Sequence, residues 1–192
     1  MTDVVSIDPR TATVAEVVSS TTTAQQVDAL CVAAAAAAPA LERLGRAGRA
    51  AVLREMAAAL EARGDDIVAL ADRETGIGEA RLGGELKRTC YQLRLFADVL
   101  TDGGYLEATI DHAGDTPMGP RPDLRRMLVP IGPVAVFGSS NFPLAFSVPG
   151  GDTASALAAG SPVILKAHSS HPATSALCFE LLLQGARAAG AP

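Results

Sequence analysis

The sequence predicts a protein of the α/β class: a helical N-terminal region over residues 1–122, then a partial parallel βαβ sheet over residues 123–192. Three observations carry this. Apolar residues recur at three-and-four spacing from Thr23 to Leu100, the period of a helix with one apolar face. Gly, Asp, Thr and Pro crowd the stretch Thr101–Pro122 and mark a connection. Two short apolar runs, Val134–Phe137 and Val163–Lys166, then flank a helix-like segment, the pattern of parallel strands joined by a crossover helix.

The elements follow in order. Val4, Val5 and Ile7 precede an IDPRT turn, and Val14, Val17 and Val18 follow it, so the N-terminus reads as a β-hairpin. From Thr23, the residues Val27, Leu30, Cys31 and Ala34 share a helix face, and Pro39 is expected to stop that helix. A second helix, Ala47–Arg63, carries Ala51 or Val52, Met56 and Leu60 on one stripe, with Gly64 as its expected C-terminal cap. Asp65 or Asp66 opens a third, which should end at Gly76. Leu82, Leu86, Cys90, Leu93, Ala97 and Leu100 form one long stripe, in which Gly83 and Gly84 suggest close helix packing. One short strand is expected within Tyr105–Ile110. Strands at Leu124–Val129 and Val134–Phe137, a helix Phe142–Ala159 ended by Gly160, a strand Val163–Lys166 and a helix from about Thr174 to Ala188 complete the chain.

Composition excludes several classes. At 192 residues, with 48% hydrophobic and 19% charged positions, the chain is globular rather than disordered. Its net charge is -5 and its Lys and Arg residues are scattered, so nucleic acid is not an expected partner. The N-terminus lacks the basic start and apolar core of a secretory signal, and the Ala33–Ala38 run ahead of Pro39 is too short to cross a bilayer. No membrane association and a cytoplasmic location are therefore expected. Cys31, Cys90 and Cys178 are odd in number and widely spaced, which suits reduced thiols, and no metal-ligand spacing is present. All three lie in helical patterns, where a core thiol is the expected role.

The chemistry concentrates at the ends of the two apolar runs. In an open parallel, Rossmann-like sheet, ligands sit beyond the carboxyl ends of the strands. Gly138, Ser139, Ser140 and Asn141 follow the first run; Lys166, His168 and Ser169 close the second. A dinucleotide-binding unit commonly ends its second strand with an acid that accepts from the adenine ribose hydroxyls. Here a cation and hydroxyls stand there instead, a donor set suited to a ribose phosphate, so the chemistry leans toward NADP, with NAD possible as an alternative cofactor. The bland readings stay open beside this. Asn141 can also be read as an N-cap for a helix starting at Phe142, Lys166 as a solvated strand end and Ser169 as a turn cap, while surface or structural roles are the expected ones for His112, His168 and His171. Neither G-x-G-x-x-G nor a phosphate-binding P-loop motif is present, and the GSS turn lacks the closing Gly and the His and acid of a serine hydrolase.

The segment GPVAVFGSSNFPLAFSVPGGDTASALAAGSPVILKAHSSHPATS closely resembles the cofactor-binding segment of the aldehyde dehydrogenases. It looks most like their NADP-preferring branch, which includes 2-oxoglutarate semialdehyde dehydrogenases. The resemblance implies that Asn141 donates to the thiohemiacetal oxyanion, that Phe137, Gly138, Ser139 and Ser140 line the cofactor crevice, and that Lys166 binds the adenosine ribose. Ser169 stands where NAD-preferring members often carry Glu, and His168 fits the KAH wording of the NADP-preferring branch. Ser139 and Ser140 replace the more common Pro-Trp before the Asn. The resemblance further implies an aldehyde substrate, a homo-oligomeric complete enzyme, and a nucleophilic cysteine and general-base glutamate outside this sequence. The chain alone is thus expected to be inactive, either as the first portion of the enzyme or as a non-catalytic truncated fragment or assembly module.

Overall fold

A computed structural model describes residues 2–192. The N-terminal hairpin pairs β1 (Asp3–Asp8) with β2 (Thr13–Ser20) antiparallel, as the IDPRT turn predicts. Four helices follow: α1 (Ala24–Arg43), α2 (Gly45–Ala62), α3 (Gly64–Thr75) and α4 (Glu79–Asp102). Thr23 caps α1 in a capping box with Gln26, satisfying donors at both ends of the first turn. Gly76, at φ +65°, ends α3, where only a residue without Cβ sits comfortably.

The six stripe residues of α4, from Leu82 to Leu100, are all buried. They meet Val52, Leu53, Met56 and Leu60 of α2, Ile67 and Ala71 of α3, and Cys178, Leu181 and Leu182 of α6 (Pro172–Ala188) in one apolar core. Contact between α2 and α6 is close at Gly185, where an added Cβ would lie 2.6 Å from the backbone of Met56. The core also takes in Leu144, Val148, Ala154 and Ala158, so it is continuous across residue 122.

Several expectations are corrected. Pro39 does not stop α1, which runs four residues further to Arg43. The helix is exposed around Ala35, whose carbonyl loses its partner at Pro39 and is left to water. Of its residues only Leu41 is buried; Val27, Leu30 and Cys31 are exposed, so this apolar face meets no core and Cys31 is not a core thiol. Gly64 is not a cap for α2 but the first residue of α3. A Cβ on Gly83 or Gly84 would meet nothing within 4 Å, so neither marks close packing.

The connection holds more strand than expected. β3 (Thr109–Asp111) pairs antiparallel with β6 (Leu124–Arg126), enclosing the hairpin β4 (Gly114–Thr116) and β5 (Gly119–Arg121). β6 stops at Arg126 rather than reaching Val129. The expected helix Phe142–Ala159 is shortened to α5 (Gly151–Ala159), because Pro143 and Pro149 remove backbone donors and residues 143–150 fold as turns. Its predicted terminator is right: Gly160 has φ +94°. β7 (Val134–Phe137) and β8 (Val163–Lys166) pair in parallel, Val134 opposite Val163 and Phe137 opposite Lys166, with α5 between them in sequence. The observed fold is therefore a helical region joined to a partial Rossmann-like βαβ unit, followed by α6.

Candidate cofactor and oxyanion site

Parallel register fixes the geometry of the site. Because Phe137 faces Lys166 across the ladder, the segments leaving β7 and β8 emerge from one rim of the sheet. The ladder continues one step further, with the Gly138 N–H donating to the Lys166 carbonyl at 2.9 Å. Gly138 is required by close approach: a Cβ there would lie 2.7 Å from Ser147 Oγ and 3.2 Å from the His168 nitrogen.

Beyond Gly138 the chain is tied down at Ser139 and Asn141. The Ser139 N–H donates to Phe146 O at 2.9 Å, and the Ser139 hydroxyl donates to Asn141 Oδ1 at 2.6 Å. Arg81 of α4 donates to the Asn141 backbone carbonyl at 2.7 Å and lies over the Phe142 ring, 5.0 Å from its centre. Arg81 also pairs with Glu85 at 3.4 Å, a buried carboxylate that accepts from the N–H groups of Leu144 and Ala145. The Asn141 side chain itself is exposed. No helix begins at Phe142, so Asn141 is not an N-cap.

On the β8 side, Lys166 and Ser169 are exposed, and neither side chain makes a hydrogen bond or ion pair among the described residues. His168 is half-buried, and its Nδ1 accepts from the Ser170 N–H at 3.1 Å. Desolvation, then the neighbouring His171 and Lys166, hold its imidazole below the usual value, which keeps it neutral at physiological pH. His171 is fully buried, and its Nε2 lies 2.8 Å from the Ser139 carbonyl; a carbonyl only accepts, so Nε2 carries the proton.

The rim thus brings together Gly138, Ser139, Asn141, Lys166 and His168, while Ser140 and Ser169 are exposed in the segments beside them. Phe137 differs: it is 70% exposed and lines a groove of about 660 Å³ along β7 and α5, with Ile131, Val134, Asp152 and Ser155. That groove contains none of Asn141, Lys166, His168 or Ser169. It follows the unpaired edge of β7 and is mostly apolar, so the polar donors belong to the rim and not to this groove.

The supporting residues Arg81, Glu85 and Glu74 are not among those predicted from the sequence, while His171 is a structural histidine, one of the two roles expected for it. Glu74 ends α3 and accepts from the Ala173 and Thr174 N–H groups and the Thr174 hydroxyl at 2.7–2.9 Å, anchoring the start of α6. A signal was present for both acids. Glu74 follows Ile67 by seven positions and Glu85 follows Leu82 by three, so each stands on an apolar stripe where a carboxylate needs a partner.

Fold and rim together define an incomplete α/β unit of the dinucleotide-binding kind. The sequence profile described as "Aldehyde dehydrogenase family" matches residues 2–192, and the chain belongs to that family. It is 54% identical over 148 residues to alpha-ketoglutaric semialdehyde dehydrogenase 2 of Azospirillum brasilense, covering 76% of this chain and 28% of that protein. Similarity to the alpha-ketoglutaric semialdehyde dehydrogenase of Acinetobacter baylyi is 47% over 145 residues, covering 75% and 28%. Among solved structures, an NADP-dependent enzyme of E. coli superposes with a TM-score of 0.81 at 26% identity, covering 95% of this chain and 36% of that one. Aldehyde dehydrogenase 21 of Physcomitrella patens, bound to its product succinate, superposes at 0.76 with 29% identity, covering 94% and 36%. The chain spans about 28% of the length of the curated relatives it matches.

Proposed function

We propose that this chain is the N-terminal cofactor-binding portion of an NADP-preferring aldehyde dehydrogenase that oxidises a semialdehyde, of the alpha-ketoglutaric kind, to its carboxylate. The observation that carries the reading is the parallel register setting Phe137 opposite Lys166, from which the Asn141 segment and the Lys166–Ser169 segment leave the same rim. Lys166 and Ser169 would hold the ribose phosphate of NADP: an ammonium and a hydroxyl are donors, and no acid stands between Val163 and Pro172 to repel it. The glycine at 138 lets the backbone run close to the β8 loop, with Phe137, Ser139, Ser140 and His168 lining the approach. NADP held there would supply the hydride acceptor for the oxidation.

Asn141 supplies an amide donor to the substrate oxygen where negative charge develops, an interaction that matters more in the transition state than in the bound aldehyde. On the family resemblance the nucleophile lies outside this chain, and the two core cysteines are unsuited to the role. Burial pushes the Cys90 thiol up to about 11 and the Cys178 thiol up to about 12, so neither supplies a thiolate. The 192-residue chain alone should therefore turn over no aldehyde, and the reaction belongs to the complete enzyme, a homo-oligomer in the cytoplasm. The 20-residue α1 is long and apolar enough by hydropathy to cross a membrane. Gln25, Gln26 and Asp28 lie near its start, which suits a helix packed in an assembly better than a bilayer span.

The cofactor assignment is tested by titrating NADP and NAD into the complete enzyme. NADP should bind about tenfold or more tightly, and Ser169→Glu should move the preference toward NAD by placing a carboxylate against the phosphate. Equal affinities before and after the substitution would refute it.

A further inference from the structure

We propose that Ser139 is a positioning residue for the Asn141 amide, and that buried His171 holds Ser139 in place to act as one. This rests on the oxyanion reading of Asn141 and deepens it.

A carboxamide is useful as an oxyanion donor only when its NH2 faces the developing charge. Turned by half a rotation about its last bond, it presents a carbonyl oxygen and repels that charge. An exposed Asn, free at that torsion, visits both orientations, because the torsion is broad and roughly two-fold. Asn141 is exposed, so its orientation has to come from a neighbour.

The neighbour is two residues back. The oxygen-to-oxygen distance from the Ser139 hydroxyl to Asn141 Oδ1 is 2.6 Å, within the range for an O–H···O bond and shorter than that for an N–H···O bond. The short separation favours the arrangement in which the carbonyl oxygen accepts from Ser139 and the NH2 is left pointing outward. Accepting a hydrogen bond at the oxygen also draws electron density from the amide nitrogen and strengthens its N–H groups as donors.

Ser139 can do this only if it is itself immobile, and its backbone is held twice. Its N–H donates to Phe146 O at 2.9 Å, and its carbonyl accepts from His171 Nε2 at 2.8 Å. His171 is in turn fixed by full burial and by Ser175, whose single hydroxyl hydrogen has two acceptors in reach, Nδ1 at 3.2 Å and the His171 carbonyl at 3.0 Å. Arg81 pins the Asn141 backbone from the opposite side through its carbonyl at 2.7 Å. Backbone and side chain of residue 141 are thus fixed by separate partners, and the Ser139 hydroxyl is the one acting on the amide.

Two measurements test it. In the 192-residue chain, nitrogen-15 relaxation of the Asn141 side-chain amide should report an ordered group. Ser139→Ala should make that group mobile without changing the backbone spectrum beyond the loop, and Ser139→Thr should restore order. Equal mobility in all three would overturn the proposal. In the complete enzyme, Ser139→Ala should lower kcat about tenfold with little change in KM, Ser139→Thr should recover most of it, and in an Asn141→Ala background Ser139→Ala should add nothing further. An undiminished kcat in Ser139→Ala, or losses that add in the double variant, would overturn it while the oxyanion reading stands. Full activity in Asn141→Ala alone would instead sink the oxyanion reading, and the relaxation result would still decide whether Ser139 orients the amide.

Discussion

At the scale of single residues, the three cysteines divide by environment in a way their sequence pattern does not reveal. All stand at helical spacing among apolar neighbours, yet Cys90 and Cys178 are buried in the core while Cys31 is exposed on α1. Desolvation raises Cys90 to about 11, with a smaller push from Glu61, and raises Cys178 to about 12. Both are protonated thiols at any physiological pH. Treating the folded chain with iodoacetamide at pH 8 and locating the adducts by mass spectrometry should therefore find Cys31 alkylated, and the other two only after denaturation. Modification of Cys90 at the rate of Cys31 would mean the core there is open. The rim residues show the same limit on what spacing can reveal. Asn141, Lys166 and Ser169 were legible because each closes or follows an apolar run. The hold of His171 on Ser139 was not, because it lies in a 2.8 Å contact with a carbonyl 32 positions earlier in the chain.

At the scale of elements, apolar periodicity predicts that a helix has an apolar face but says nothing of whether a partner covers it. That is why all six stripe residues of α4 are buried as expected, whereas α1 keeps its predicted stripe exposed. The late start of α5 has a different origin: two prolines within seven residues outweigh the apolar pattern around them. The partners of the buried acids, unlike their place on an apolar stripe, were hidden for a third reason: those of Glu74 lie about a hundred positions away. Its role is structural. A carboxylate at the N-terminus of α6 satisfies first-turn N–H groups and meets the positive end of the helix dipole. Glu74→Ala leaves those donors buried and unpaired, which should cost about 3 kcal/mol in urea unfolding, and a loss under about 1 kcal/mol would mean that water replaces it. The hairpin is latched to α3 by Arg10 on Asp72 and by the ion pair of Glu16 with Arg73. The Arg10 hydrogen bond, aided by the Gly78 N–H, holds Asp72 below its ordinary carboxylate value. A lowered folded value stabilises the docked hairpin above the unfolded pKa of about 3.9, and that contribution is lost as pH falls through the folded value. Amide exchange in β1 and β2 should accelerate relative to α4 as the medium is acidified, and Asp72→Asn should show the faster exchange already at neutral pH. An acid-insensitive ratio would show that the latch is not electrostatic.

At the scale of the whole molecule, the core closes but the surface does not. The two-stranded sheet of β7 and β8 presents one edge of β7 without a strand partner, and the groove along it exposes Phe137 and Ile131, the latter 89% accessible. Val27, Leu30 and Val32 are uncovered on α1. Unpaired strand edges template association, and large contiguous apolar patches are uncommon on soluble monomers. The isolated 192-residue chain should therefore self-associate, with a sedimentation mass that rises with concentration. Ile131→Lys at the sheet edge and Leu30→Lys on α1 are both solvent-exposed positions, so neither should lower the unfolding temperature appreciably, and each removes apolar area from only one of the two surfaces. If strand pairing drives association, Ile131→Lys weakens it most; if helix packing does, Leu30→Lys has the larger effect. A parent chain that stays monomeric across the whole concentration range would show that these surfaces are tolerated in water as they stand, and would remove the physical reason for expecting further structure to cover them.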